Sequence, residues 1–458
     1  MTSRNAAPET PQPANHPSLN RRILALALPA FGALVAEPLF VLGDTAIVGH
    51  LGTGPLAGLT LGSTVIQTVV GLMIFLSYST TPAVARAFGA GRLREAYTAG
   101  RDGMAAALLI GVTLAVVGWF ACDPILRAMG ANGQTLTFAA DYLRPSLFGL
   151  PGMLLVLAAV GVLRGLQDTV TPLYVAGIGA AANLGLSWLL VYPVGLGVAG
   201  SAIATAAIQW VMGLVMGAMV LRGIRRHEVA LRPDRRGLGR VFSLGSWLML
   251  RTLAMRVALL ATVFVVTAQG TENLAAYQLT MTFFSFLAFA LDSLAIAAQA
   301  LLGEQLGASD LNTEAGRAAV VDLKNRLVRW SVGFGVITGL LCPLVGFFGA
   351  WIFTPDPAVQ HLFALALLVV AVGQPVAAYV FILDGVLIGA QDARYLALAA
   401  VAALFAYAPL LVAVHLLGRG QDAGWQPFVW LWAAYALGYM GARAVTLGWR
   451  ARTGVWIR

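Results

Sequence analysis

Apolar runs long enough to cross a bilayer follow one another along almost the whole chain, and this feature limits the solvents it can fold in. Windows bounded by charges and turn residues fall near 23–48, 55–84, 103–122, 139–163, 170–192 and 197–221, then near 242–268, 274–301, 327–352, 360–388, 395–417 and 425–448. A helix crosses the hydrocarbon core with about 20 apolar residues, so the expected fold is an all-α membrane protein of twelve spans. Charged residues are 11% of the 458, against about 25% in a soluble chain, so the surface cannot face water everywhere. An outer-membrane barrel is excluded, because its strands would alternate apolar and polar residues in segments of about ten. A soluble enzyme on an anchor is excluded too: the longest polar stretch, between Leu221 and Val241, is too short to bury a core of its own.

The 29 basic residues outnumber the 20 acidic ones, which in a soluble chain would raise the question of nucleic acid. Here they gather in the even-numbered gaps between spans, above all in RGIRRHEVALRPDRRGLGR from Arg222 to Arg240, which has no aromatic residue for a base to stack on. The positive-inside rule then places both ends in the cytoplasm and the chain in the inner membrane, with no nucleic-acid partner. The expected divisions are a disordered tail over 1–20, a six-helix bundle over 21–221, a basic linker over 222–241, a second six-helix bundle over 242–450 and a tail over 451–458. The apolar stretch from Ile23 outruns the roughly 7 to 15 residues of a signal-peptide core, so it reads as a span. Cys122 and Cys342 suggest neither disulfide nor metal knuckle, and the five histidines show no ligand spacing. Neither a phosphate-binding loop nor a zinc-protease motif is present, which argues against an ATP-driven pump and against an enzyme. Gly195, Gly197 and Gly200 spell G-x-G-x-x-G, but no strand precedes them, so they mark a helix entry.

The halves repeat each other. Gly149 and Pro151 precede GVLRGLQD at Gly161, as Gly373 and Pro375 precede GVLIGAQD at Gly385; LAGLTLGST from Leu56 parallels LAAYQLTMT from Leu274. Gly89 and Gly307 keep that second register. Six spans per repeat, an even number, make the repeats parallel and relate the bundles by a pseudo-two-fold axis along the membrane normal.

Polar residues inside the spans carry the functional expectation. Glu37 and Asp44 lie in the first span, Asp292 in the eighth and Asp384 in the tenth. Together they cost on the order of 10 kcal/mol in hydrocarbon unless a cavity, a counter-charge or protonation offsets them. Glu37 and Asp44 are seven residues apart and share one face of a helix that Pro29 and Pro38 interrupt; Pro151 and Pro375 interrupt spans four and ten. Arg251 and Arg256, five apart in span seven, point in different directions, and one of them is expected to neutralise Asp292 or Asp384. Such a pair fits a structural role in the second bundle as well as a substrate site.

Over nearly its whole length the chain resembles the multidrug and toxic compound extrusion (MATE) transporters, and among them the DinF-like branch. The motifs are GDTAIVGHLGTGPLAGLTLGS from Gly43, GVLRGLQDT ending at Thr169, GVAGSAIAT from Gly197 to Thr205, LAAYQL from Leu274, which contains Gln278, and LDGVLIGAQD from Leu383. The resemblance implies two six-helix bundles facing across a central cleft. It makes Asp44 the coupling carboxylate, with Asn183, Ser187 and Thr205 around it and Glu37 on the same helix. Archaeal DinF-like members carry an acid where this chain has Ser187, so the resemblance favours a proton over sodium here, with sodium the alternative. Asp292, Asp384, Arg251, Arg256 and Gln278 are the expected polar or substrate site of the second bundle. The implied activity is antiport: a monomer with no cofactor beyond the coupling ion exports cationic or lipophilic small molecules. A lipid-linked oligosaccharide flippase of the same superfamily fold is the remaining alternative.

Overall fold

The computed structural model describes residues 19–418 and 425–457, apart from the side chain of Glu37. Residues 1–18 of the expected N-terminal tail therefore lie outside the described residues. The first half consists of α1 (Leu19–Gly49), α2 (Thr53–Met73), α3 (Phe75–Gly89), α4 (Leu93–Ala128), α5 (Gly133–Gly165), α6 (Val170–Val191) and α7 (Gly197–Arg226). Helices α2 and α3 are one span with an irregularity at Ile74. The second half consists of α8 (Arg235–Thr267), α9 (Thr271–Ala308), α10 (Glu314–Phe348), the short α11 (Ala350–Phe353), α12 (Pro357–Gly389), α13 (Ala393–Leu417), α14 (Gln426–Ala433) and α15 (Met440–Thr453). No strand occurs among the described residues.

Among the described residues, eleven helices are long and apolar enough to cross a membrane. The twelfth span is the α14–α15 pair, joined by a π-helical turn over Ala434–Tyr439. A π turn adds a residue to the helical circuit and rotates the next stretch of helix about its axis, and such turns are frequent at functional sites. Here Trp432, Tyr435, Tyr439 and Arg443 are all buried around it.

The halves are built alike. Helix α5 packs against α2, α3, α4 and α7, and its counterpart α12 against α9, α10 and the α14–α15 span; α1 pairs with α6 as α8 pairs with α13. The repeat-related prolines Pro151 and Pro375 are accommodated in the same way. A Cβ on Gly111 would press on Pro151, and one on Gly335 would lie 3.2 Å from the Cα of Pro375. The missing side chain opens room for the proline ring in a helix that lacks one backbone donor. Between the halves, α9 lies along α3 and α1. The molecule is thus an all-α membrane fold of two facing six-span bundles.

Two expected boundaries shift. Helices α7 and α8 run into the arginine-rich segment, so only 227–234 separate them. That connection is pinned to the first half: Arg101 donates to the Ala230 carbonyl at 2.6 Å, and the backbone N–H of Asp234 donates to Asp102 at 3.2 Å. The segment expected as a C-terminal tail is not free, because α15 continues to Thr453 and Trp456 and Ile457 are buried. Trp456 donates its indole N–H to the Ala451 carbonyl at 3.2 Å. Trp456→Ala should therefore cost about 3–5 kcal/mol, as emptying a buried tryptophan site does. The check is a lower melting temperature of the purified protein in detergent; an unchanged one would return 451–458 to the status of a tail.

Candidate ion-coupling site

Asp44 lies in the C-terminal half of α1 and is 4% exposed. A bare carboxylate there would lose several kcal/mol of hydration, so the surrounding helices must supply donors. Three do. Asn183 Nδ2 and Ser187 Oγ, one turn apart on α6, donate to Asp44 Oδ1 at 3.3 and 3.0 Å. Thr205 Oγ1 on α7 donates to Oδ2 at 2.9 Å and also lies 3.1 Å from Asn183 Oδ1. Hydrogen bonds to a charged group contribute about 1.5–3 kcal/mol each, so three of them offset a cost of that size. No ion pair to Asp44 occurs among the described residues. Its hydrogen-bond partners are all neutral groups.

Ser201 precedes Thr205 by one turn on the same face of α7, is fully buried and forms no hydrogen bond of its own. The sequence reading missed it; the i, i+4 spacing within GVAGSAIAT is the signal that shows it. The four expected residues Asp44, Asn183, Ser187 and Thr205 do come together. The side chain of Glu37 lies outside the described residues. Pro29 and Pro38 sit inside a continuous α1.

The second half handles its acid in the opposite way. Asp384 on α12 accepts from Arg251 Nη2 on α8 at 2.8 Å and, through the same Oδ2, from Arg443 on α15. All three side chains are buried. Arg443 was missed, although an arginine inside the last apolar run is visible in the sequence. Asp292 on α9 is half-buried and feels the charges of Arg164 and Arg251. Arg164, read as a loop residue, ends α5 and is buried. Two expected members of this cluster do not join it. Arg256 is exposed on another face of α8, with its guanidinium beside Gly71 of α2, and Gln278 is exposed on α9. Residues five apart on a helix point about 140° apart, so Arg251 and Arg256 cannot serve one site.

The repeat also locates the second half's counterpart of the Asp44 site. The register that pairs Leu56 with Leu274 sets Thr262 opposite Asp44, and the one that pairs Asp168 with Asp392 sets Tyr407 opposite Asn183. Gly149 packs on Ala206 as Gly373 packs on Ala436, which sets Tyr435 opposite Thr205. Thr262 Oγ1 and Tyr407 OH are hydrogen-bonded at 2.8 Å, and the rings of Tyr407 and Tyr435 lie 6.3 Å apart. One copy keeps the carboxylate, while the other is filled by rings.

The MatE family profile matches residues 29–189 and 248–412, one stretch in each half and together more than half of the chain. The chain belongs to the MatE family. It is 27% identical to Protein DETOXIFICATION 43 of Arabidopsis thaliana, over 95% of this chain and 90% of that protein. It is also 27% identical to DNA damage-inducible protein F of Escherichia coli (strain K12), over 96% and 94% of the two chains. Among solved structures, the Vibrio cholerae MATE transporter VcmN in the bent form superimposes with a TM-score of 0.82 at 21% identity, covering 95% of this chain and 98% of that one. An outward-facing multidrug resistance MATE family transporter superimposes with a TM-score of 0.78 at 22% identity, covering 94% and 96%. The protein is therefore a MATE-family efflux transporter.

Within that fold the two buried acids should respond differently to substitution. Arg443→Ala leaves Asp384 with one cation and should destabilise the protein by about 3–5 kcal/mol, the cost of breaking a buried ion pair. A lowered melting temperature checks this, and an unchanged one would show the cluster to be hydrated rather than structural.

Proposed function

We propose that the protein is a proton-coupled antiporter of the inner membrane, exporting cationic or lipophilic small molecules by alternating access, with both termini cytoplasmic. The supporting observation is that Asp44 is buried with neutral partners alone, while Asp384 is held by two guanidinium groups. A carboxylate fixed to two cations keeps its charge; one surrounded by hydroxyls and an amide is free to change it. Replacement of a second acid by Ser187 favours the proton over sodium, because a sodium site there would have one formal charge fewer.

Thr205 gives the proton a structural consequence. Its hydroxyl has one hydrogen and two acceptors, Asp44 Oδ2 at 2.9 Å and Asn183 Oδ1 at 3.1 Å. While Asp44 is ionised, that hydrogen points to the carboxylate. When Oδ2 takes up a proton, the new O–H donates to Thr205 Oγ1, and the threonine hydrogen turns to Asn183 Oδ1. No donor is left without an acceptor, and the bond between α1 and α7 reverses its direction. Protonation thereby removes the charge that holds α1 against α6 and α7, and α1, which carries Pro29 and Pro38 in its interior, repacks. One proton moving through 100 mV releases about 2.3 kcal/mol, enough for a roughly 50-fold gradient of a neutral cargo.

The test uses purified protein in liposomes, with efflux of a cationic dye driven separately by a proton and a sodium gradient. Proton-driven transport should fall to the leak rate in Asp44→Asn. Undiminished transport by that variant would end the proposal, and sodium drive without a pH response would replace the ion. Thr205→Ser should retain exchange, whereas the near-isosteric Thr205→Val should slow it; equal rates would remove the hydroxyl relay from the mechanism. Movement of a polyprenyl-pyrophosphate lipid with no effect on dyes would favour a flippase.

A further inference from the structure

At the arginine-rich end of the molecule, α3 and α9 cross so closely that side chains are excluded. A Cβ on Gly89 would overlap the carbonyl oxygen of Glu304, and a Cβ on Gly307 would overlap that of Arg86. These are one contact made twice, because the register that pairs Leu56 with Leu274 also pairs 86 with 304 and 89 with 307. In the same register Ala85 and Gly303 are each other's counterparts, and a Gly303 Cβ would lie 2.8 Å from the Cβ of Ala85. A contact between counterparts lies on the two-fold axis, so the pseudo-symmetry axis runs through this crossing.

Glu304 stands beside the crossing and faces the first half. Its Oε2 accepts from Arg22 Nη2 at 2.5 Å and from Gln167 Nε2 at 2.5 Å, and Arg22 Nη2 also lies 3.1 Å from Gln167 Oε1. Arg22 is in the first turn of α1, the helix that carries Asp44. Gln167 is in the turn between α5 and α6, at a φ of 65°. One carboxylate of the second half thus ties down two places in the first. On the other side of the axis the counterparts of Glu304 and Arg22 are Arg86 and Arg240, two cations that cannot repeat the arrangement. The side chains of Arg22 and Glu304 are 31% and 24% exposed, and ion pairs open to water to this degree are weak enough to break and re-form.

We propose that Glu304 is a positioning residue of the transport cycle: across the glycine crossing it latches the near end of α1 to the opposite half, and releases it when this end opens. The proposal rests on the exchange reading above only in that this end must open. The latch opposes any movement of α1 at its base, while Asp44 acts further along the same helix. Two short contacts at a crossing without side chains let the halves separate without pulling packed groups apart.

The experiment measures the distance between spin labels at Arg94→Cys and Asn312→Cys, exposed counterparts on either side of the crossing. Cys122 and Cys342 are replaced by alanine, and the liposomes carry neither gradient nor cargo. The parent should show a dominant short distance. Glu304→Gln or Arg22→Ala should raise the long-distance fraction about fivefold, the change expected for a partly exposed ion pair. Gly89→Ala and Gly307→Ala should also raise it, by matching amounts, because they are the same site in two copies. The exchanged pair Arg22→Glu with Glu304→Arg should restore the short distance, a rescue that misfolding would not produce. An unchanged distance distribution in monodisperse Glu304→Gln and Gly89→Ala proteins would overturn the latch. Asp44→Asn is absent from this readout, so the latch and the coupling proposal fail separately.

Discussion

A charge inside a bilayer must be neutralised, dissolved or removed, and the organisation of this molecule follows from how it meets that demand. At Asp384 the demand is met by neutralisation, with Arg251 and Arg443 reaching one carboxylate from two helices. At Asp44 it is met by dissolution, with hydroxyls and an amide standing where water would be. The first solution is static because each cation would be left bare if the acid lost its charge. The second tolerates both protonation states, since hydroxyl groups donate or accept as required.

The same contrast separates the two copies of the repeat. The backbone contacts have been kept: Gly111 beside Pro151 as Gly335 beside Pro375, and Gly149 on Ala206 as Gly373 on Ala436. The side chains at the equivalent of the Asp44 site have not. Thr262, Tyr407 and Tyr435 fill that place with rings and one hydroxyl pair, and the π turn over Ala434–Tyr439 carries Tyr435 and Tyr439 into the same interior. Helix crossings constrain both copies equally, because a Cβ there meets backbone. A polar interior constrains neither copy, and the two have diverged.

The spans, the duplication and the intramembrane acids were legible in the sequence for a simple physical reason, whereas Asn183, Ser187 and Thr205 were expected around Asp44 only through the resemblance to the MATE transporters. An acid within an apolar run is conspicuous against its surroundings, while an amide or a hydroxyl there is common enough to pass unnoticed until a partner is known. What was not legible depended on helix rotation and on ends. Arg256 and Gln278 are as polar as Arg251, yet they face outward, and composition does not reveal which face of a span looks inward. Arg164 was read as a loop residue because it sits at the last turn of an apolar run, where a few residues decide between burial and water. Trp456 and Ile457 looked like a tail because the three apolar residues Val455 to Ile457 after a basic helix end are too few to show a periodicity. Ser201 was overlooked because serine is unremarkable in a small-residue helix until its neighbours across the bundle are known.

Asp44 on α1 finds its hydrogen-bond partners on α6 and α7 of the same half. On the proposed exchange, the driving ion and the passenger then never compete for one seat. The passenger would have to fit only the space between the halves, and its own charge would be of little consequence to the step that drives the cycle. On that reading, a transporter wired in this way would be indifferent to the chemistry of what it carries, and any breadth of cargo would come from the wiring.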